Sequence, residues 1–67
     1  MKNSICVNGE NIEVRATNLD ELVAELGLSG KQIALEQNGV IVPRSAYSAT
    51  ELAPGDKLEI VHCVAGG

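Results

Sequence analysis

The sequence predicts an α+β domain of two layers, a mixed sheet packed on one short helix. Three observations carry that expectation. Two Asn-Gly pairs, Asn8-Gly9 and Asn38-Gly39, each stand between apolar segments, and a tight hairpin there requires positive φ at both central residues. The flanking segments alternate apolar and polar residues as half-buried strands do. One segment, residues 18–26, spaces its apolar residues for a helix.

Residues 4–7 (Ser-Ile-Cys-Val) read as a strand, and Asn8-Gly9 turns it back. Residues 10–15 alternate, with Ile12 and Val14 on one face and Asn11, Glu13 and Arg15 on the other. Asn18 is suited to accept from the free N–H groups of a first helical turn, and Glu21 three residues on completes a capping box. Asp20 and Glu21 suit the positive end of the helix dipole. Leu19, Leu22, Val23 and Leu26 form one apolar stripe, Gly27 is a natural stop, and Leu28 can fold back over the last turn. Residues 32–37 form a strand with Ile33 and Leu35 inward, and residues 40–42 form a short strand stopped by Pro43. Residues 44–56 are expected to be irregular, with a helical turn around Ser45-Ala46-Tyr47 and a turn at Pro54-Gly55-Asp56. Residues 57–61 alternate again, Leu58 and Ile60 against Lys57 and Glu59. The order is β-β-α-β-β-β. The expected core is Ile5, Val7, Ile12, Val14, the helix stripe, Ile33, Leu35, Val42, Leu52, Leu58 and Ile60, with Tyr47 plugging its edge.

Composition narrows the function. With 67 residues there is room for one small domain. An aliphatic core of this size leaves a net stability of only about 3–5 kcal/mol, a thin margin for a strained catalytic cleft, and no catalytic residue is expected. Nine acidic residues against five basic ones give a net charge of -4, and the one aromatic residue is Tyr47. Nucleic acid is therefore a poor partner. Apolar runs of three to four residues span no bilayer. Met1-Lys2-Asn3-Ser4 does not lead into an apolar secretory segment, so a cytoplasmic location is expected.

Cys6 and Cys63 lie at opposite ends, with no Cys-x-x-Cys pair and a single histidine, His62, so neither a metal site nor a redox dithiol is expected. Free thiols are expected in a reducing compartment, and a Cys6–Cys63 disulfide stays open if the two end strands are neighbours. Alternation from Ile5, Val7, Leu58 and Ile60 sends Cys6, Val61 and Cys63 to the opposite, outer face. That row reads as a small apolar partner surface or as ordinary half-buried strand positions. Arg44 reads as a surface ion-pair member or as part of a partner contact. Asp20, Glu21 and Glu25 read as the solvated face of the helix.

The sequence ends in Gly66-Gly67. At an average glycine usage of roughly 7%, such a pair at a given place arises by chance about once in two hundred sequences. A frayed tail or a truncated chain would explain it. So would a tether, because residues without Cβ can lie extended in a channel too narrow for side chains. The reactive group of such a tether is its α-carboxylate, a poor electrophile until it is joined to AMP. That step consumes ATP, and the sequence has no phosphate-binding loop of its own. A partner protein would have to supply the catalysis.

Several segments carry a resemblance: Ile-Cys-Val-Asn-Gly-Glu, Leu-Asp-Glu-Leu-Val-Ala-Glu-Leu-Gly-Leu, Ala-Leu-Glu-Gln-Asn-Gly-Val-Ile-Val-Pro-Arg-Ser, Pro-Gly-Asp-Lys-Leu-Glu-Ile-Val and the closing Val-Ala-Gly-Gly. Together they resemble the ThiS family of sulfur carriers in thiamin thiazole biosynthesis, within the ubiquitin-like β-grasp superfamily. The resemblance implies a β-grasp domain over residues 1–62 and a flexible tail over 63–67. It implies that Gly67 is modified, first as a glycyl adenylate and then as a thiocarboxylate (thioglycine), with Val64, Ala65 and Gly66 threaded into the partner. The implied partners are a ThiF-type adenylyltransferase that uses ATP, a persulfide sulfur donor fed by a cysteine desulfurase, and thiazole synthase of the ThiG type. The chain itself would bind no cofactor and would be a co-substrate rather than an enzyme. The small subunit of molybdopterin synthase, a ubiquitin-like modifier and a β-grasp binding module with an inert tail share these features and remain alternatives.

Overall fold

The computed structural model describes residues 2–63; Met1 and residues 64–67 lie outside the described residues. The elements are β1 (Asn3–Val7), β2 (Glu10–Val14), α1 (Leu19–Glu25), β3 (Ile33–Gln37), β4 (Val40–Val42), a 3-10 helix (Arg44–Ala49) and β5 (Lys57–His62). They form one five-stranded mixed sheet in the order β2-β1-β5-β3-β4, the arrangement on one helix that the sequence implied. β1 and β5 are parallel, and the other neighbours are antiparallel. The last strand thus occupies the centre of the sheet.

Local chemistry explains the two hairpins. Asn8 (φ 52°) and Asn38 (φ 53°) adopt the left-handed conformation, and the glycine after each has φ 84°. Asparagine and glycine tolerate that region best, which is why these dipeptides set the turns.

The helix is held at both ends. The Asn18 side chain accepts the Glu21 N–H at 2.8 Å. Glu21 reaches back one residue further than a capping box predicts, accepting from the N–H and hydroxyl of Thr17 at 2.8 and 2.9 Å. These bonds, the backbone one first, hold its carboxyl below the ordinary value. At the other end Gly27 (φ 75°) lets its own N–H reach Ala24 O and the Leu28 N–H reach Val23 O at 2.8 Å, a Schellman motif.

The inner face of the sheet and the helix stripe enclose the core: Ile5, Leu19, Leu22, Leu35 and Leu58 are almost fully buried, with Val14, Val23, Leu52 and Ile60 around them. Val7, Ile12, Leu26, Ile33 and Val42 are only partly buried and pack at its margin. Ala16, outside the expected core, joins it, and Tyr47, expected to plug its edge, is buried in it. Ala16 is buried where the chain leaves β2, and Tyr47 is 4% exposed. Tyr47 is seated by the 3-10 helix, a regular element over a stretch expected to be irregular. Among the described residues no buried side-chain polar atom lacks a hydrogen-bond partner, and no helix is long and apolar enough to cross a membrane.

Candidate functional site

The candidate site is the strand that leads to the glycine pair, together with the groups that fix it. β5 is gripped from both sides by the two turn asparagines. Asn8 donates through Nδ2 to Ile60 O at 3.0 Å and accepts the Ile60 N–H at 2.8 Å. Its backbone N–H also donates to Leu58 O. β1 has ended at this point, so the Asn8 side chain substitutes for a missing strand residue. Asn38 accepts the Lys57 N–H at 2.9 Å through Oδ1, and its backbone N–H donates to Lys57 O at 2.7 Å.

Asp56 ties the entrance of β5. Its carboxylate accepts from the Ala53 N–H, Gln37 Nε2 and Asn38 Nδ2 at 2.9–3.1 Å. Partial burial pushes its pKa up, but the bonds from Ala53, Asn38 and Gln37 together outweigh that and hold it below the ordinary 3.8. At the exit, the Cys63 N–H donates to Gln32 O at 2.9 Å. The strand is therefore fixed along its whole length up to the edge of residues 64–67. Gly67, Gly66, Ala65 and Val64 themselves lie outside the described residues.

The remaining candidate residues are spread out. Cys6 pairs in register with Lys57, so it shares the outer face with Lys57, Glu59 and Val61. Cys63 comes six residues after Lys57, about 20 Å along a strand that rises roughly 3.3 Å per residue, far beyond the reach of a disulfide. Both thiols are free. β1 and β5 are neighbours, as a disulfide would need, but their register keeps the two cysteines apart. Val61 is exposed on the outer face. Arg44 is not brought to that face. Its guanidinium donates to Lys31 O, in a depression shared with Asp20, Val23 and Tyr47. Glu25, read as solvated, accepts the N–H groups of Arg15 and Ala16 at 2.9–3.0 Å and fixes the entry to the helix.

Sequence reasoning identifies Asn8 and Asn38 as turn formers but misses their role as clamps on β5. It also misses Ile41, which is 69% exposed on the outer face. Among the described residues no group of three or more His, Cys, Asp or Glu side chains is placed to hold a metal ion. The arrangement is a small domain whose last strand is held along its length by hydrogen bonds.

Comparison with known proteins bears on that point. The sequence profile of the ThiS family matches residues 5–67. The sulfur carrier protein ThiS of Bacillus subtilis is 32% identical over 63 residues, covering 91% of this chain and 96% of that one. A thiazole synthase of Paramagnetospirillum magneticum is 39% identical over 64 residues, which is 94% of this chain but 20% of the synthase. One of Magnetococcus marinus is 38% identical over the same shares. The chain thus spans about a fifth of the length of these synthases. The crystal structure of the thiamine biosynthesis protein ThiS from Geobacter metallireducens superposes with a TM-score of 0.81 at 30% identity, each chain covered in full. With the five-stranded sheet on one helix and a family match that runs through the glycine pair, the chain belongs to the ThiS family.

Proposed function

We propose that this chain is a sulfur carrier for thiamin thiazole biosynthesis, acting in the cytoplasm as a co-substrate rather than a catalyst. The observation that carries the reading is the ThiS family match across residues 5–67, which includes Gly66 and Gly67. The Bacillus subtilis relative that matches over nearly its whole length supports it. So does the rigid hold on β5 by Asn8, Asn38 and the Gln32–Cys63 bond, because a tether is delivered accurately only from a fixed base.

The chemistry runs through the α-carboxylate of Gly67. It attacks the α-phosphorus of ATP held by a ThiF-type partner, expelling pyrophosphate and forming the glycyl adenylate. The terminal sulfur of a donor persulfide, loaded by a cysteine desulfurase, then displaces AMP. A thiol cleaves the resulting sulfur–sulfur bond, leaving the Gly67 thiocarboxylate and a disulfide. The thioacid is ionised at neutral pH and strongly nucleophilic, so it can pass its sulfur to a thiazole synthase without releasing free sulfide. That partner is supported by the two thiazole synthases that carry a segment similar to this chain within their own sequence. Val64, Ala65 and Gly66 form the narrow tether, and Cys63, held through its N–H by Gln32 O, is the fixed base from which it leaves.

The test is ATP–pyrophosphate exchange with a ThiF-type enzyme. Exchange should require this chain and should vanish when Gly66 and Gly67 are deleted, with the circular dichroism spectrum unchanged. Exchange that persists after the deletion contradicts the proposal.

A further inference from the structure

Arg44 has no task in the carrier chemistry described above, yet its side chain is committed to one bond. The guanidinium donates to the carbonyl oxygen of Lys31. Asp20 lines the same depression, but the bond goes to the backbone and not to that carboxylate.

That bond holds the loop between α1 and β3. Among the described residues, hydrogen bonds reach residues 29–32 in three ways. Lys31 N–H donates to Leu28 O, inside the loop itself. Cys63 N–H donates to Gln32 O, which fixes the exit of β5. The remaining bond is that of Arg44, which ties the loop to an element other than β5. Its own footing is firm. Arg44 opens the 3-10 helix after Pro43, and Tyr47 of the same helix is buried in the core. A planar, charged donor suits a single fixed carbonyl.

Lys31 O and Gln32 O belong to successive peptide groups. Each group is planar, so only φ and ψ of Gln32 separate the carbonyl that Arg44 holds from the one that holds Cys63. The effect falls on the tether. With Cys63 held, four residues lie beyond the last fixed point and reach at most about 14 Å. Bonding alternates along an antiparallel ladder, so with the Cys63 bond open the last residue bonded to β3 is Val61, opposite Ala34. Six residues then reach about 20 Å. The volume swept grows as the cube of the reach, so the local concentration of the Gly67 carboxylate falls about threefold.

We infer that Arg44 is a positioning residue: through Lys31 and Gln32 it holds the base of the tether and so sets how often Gly67 meets ATP in the adenylating partner. This rests on the carrier reading proposed above.

The experiment is ATP–pyrophosphate exchange with a ThiF-type enzyme, titrated with full chains carrying Arg44→Met, Cys63→Pro, or both. Methionine keeps an aliphatic stem and loses the donor. Proline removes the N–H that Gln32 O accepts. Lys2→Ala, which removes an exposed cation ahead of β1, is the control for charge and should match the parent. The maximal rate should fall about threefold with Arg44→Met and with Cys63→Pro, at nearly unchanged KM for the chain. Both act through one bond, so the double variant should also lose about threefold, where independent effects would multiply to about ninefold. In Arg44→Met, hydrogen exchange at the Cys63 amide should quicken, while the Ile60 amide, bonded to Asn8, keeps its protection.

A multiplied loss in the double variant overturns the inference, because Arg44 then acts by another route. A rise in KM at unchanged maximal rate makes Arg44 a direct contact of the partner and overturns it as well. So does an Arg44→Met chain that matches the parent. Quickened exchange at both amides with a lowered urea midpoint makes Arg44 a support of the whole fold, which again overturns the positioning role. Absence of exchange with the parent chain overturns the carrier reading instead.

Discussion

Replacing Asn8 tests how β5 is held. Asn8→Ala removes two side-chain hydrogen bonds, to Ile60 O at 3.0 Å and from the Ile60 N–H at 2.8 Å. Each is worth about 1 kcal/mol, and no other strand residue is in line to replace them. The residue also has φ 52°, where a Cβ-bearing residue without asparagine's local bonding costs roughly 1 kcal/mol more. The sum is about 3 kcal/mol, close to the whole stability expected of a domain this small. Asn8→Gly removes the same bonds without the backbone penalty, so it should lose about 2 kcal/mol. Urea titration followed by far-ultraviolet circular dichroism gives both values by linear extrapolation. Hydrogen exchange at the Ile60 amide should quicken in both variants. An Asn8→Ala chain within about 0.5 kcal/mol of the parent, or an Ile60 amide as protected as before, would refute the clamp.

Three further outcomes rest on the same geometry. Leu22→Ala, at a fully buried helix position, should cost about 2–5 kcal/mol and leave much of the chain unfolded in water, read by circular dichroism and amide dispersion in NMR. Gly27→Ala keeps the helix but forces alanine to φ 75° with open space around its Cβ, so the loss should be strain alone, about 1 kcal/mol in the same titration. For pH, Asp56 and Glu21 both have pKa values held below their ordinary 3.8 and 4.5. Depressed folded-state values mean that their stabilisation is full above those ordinary values and is lost as pH falls through the lower folded ones. Urea midpoints should therefore drop below about pH 4.5, and Asp56→Asn should be less stable than the parent at pH 7 with a shallower decline in acid.

The parts of the fold legible in the sequence are those set by neighbours in the chain. Asn8-Gly9 and Asn38-Gly39 announce their turns because the conformational demand falls on those two residues. Asn18 and Gly27 announce the helix ends for the same reason. Leu35, Leu58 and Ile60 are recognisable as inward because strand alternation is local. The features that escaped depend on residues that meet only after folding. Asn8 and Ile60 are 52 positions apart, and the Glu25 bonds to Arg15 and Ala16 are likewise tertiary. Tyr47 fills the core as its ring suggested, but the full 3-10 helix that seats it against α1 is disclosed by no periodicity over residues 44–56. The outer-face row was half legible. Alternation sends Val61 outward, but the run Val40-Ile41-Val42 is apolar throughout and does not reveal which residue faces away. The opposition of Glu36 and Glu59 depends on the β3–β5 register between strands distant in sequence.

The central claim is that Gly67 carries sulfur on its carboxylate. The most direct measurement is mass spectrometry of the C-terminal peptide, from chain isolated out of cells making thiazole and treated with a thiol-alkylating reagent. The account predicts an alkylated thioacid on Gly67, a product that oxidation cannot mimic, and its loss when the ThiF-type enzyme is absent. A C-terminal peptide found only as the unmodified carboxylate, or joined through Gly67 to lysine side chains of other proteins, would contradict it.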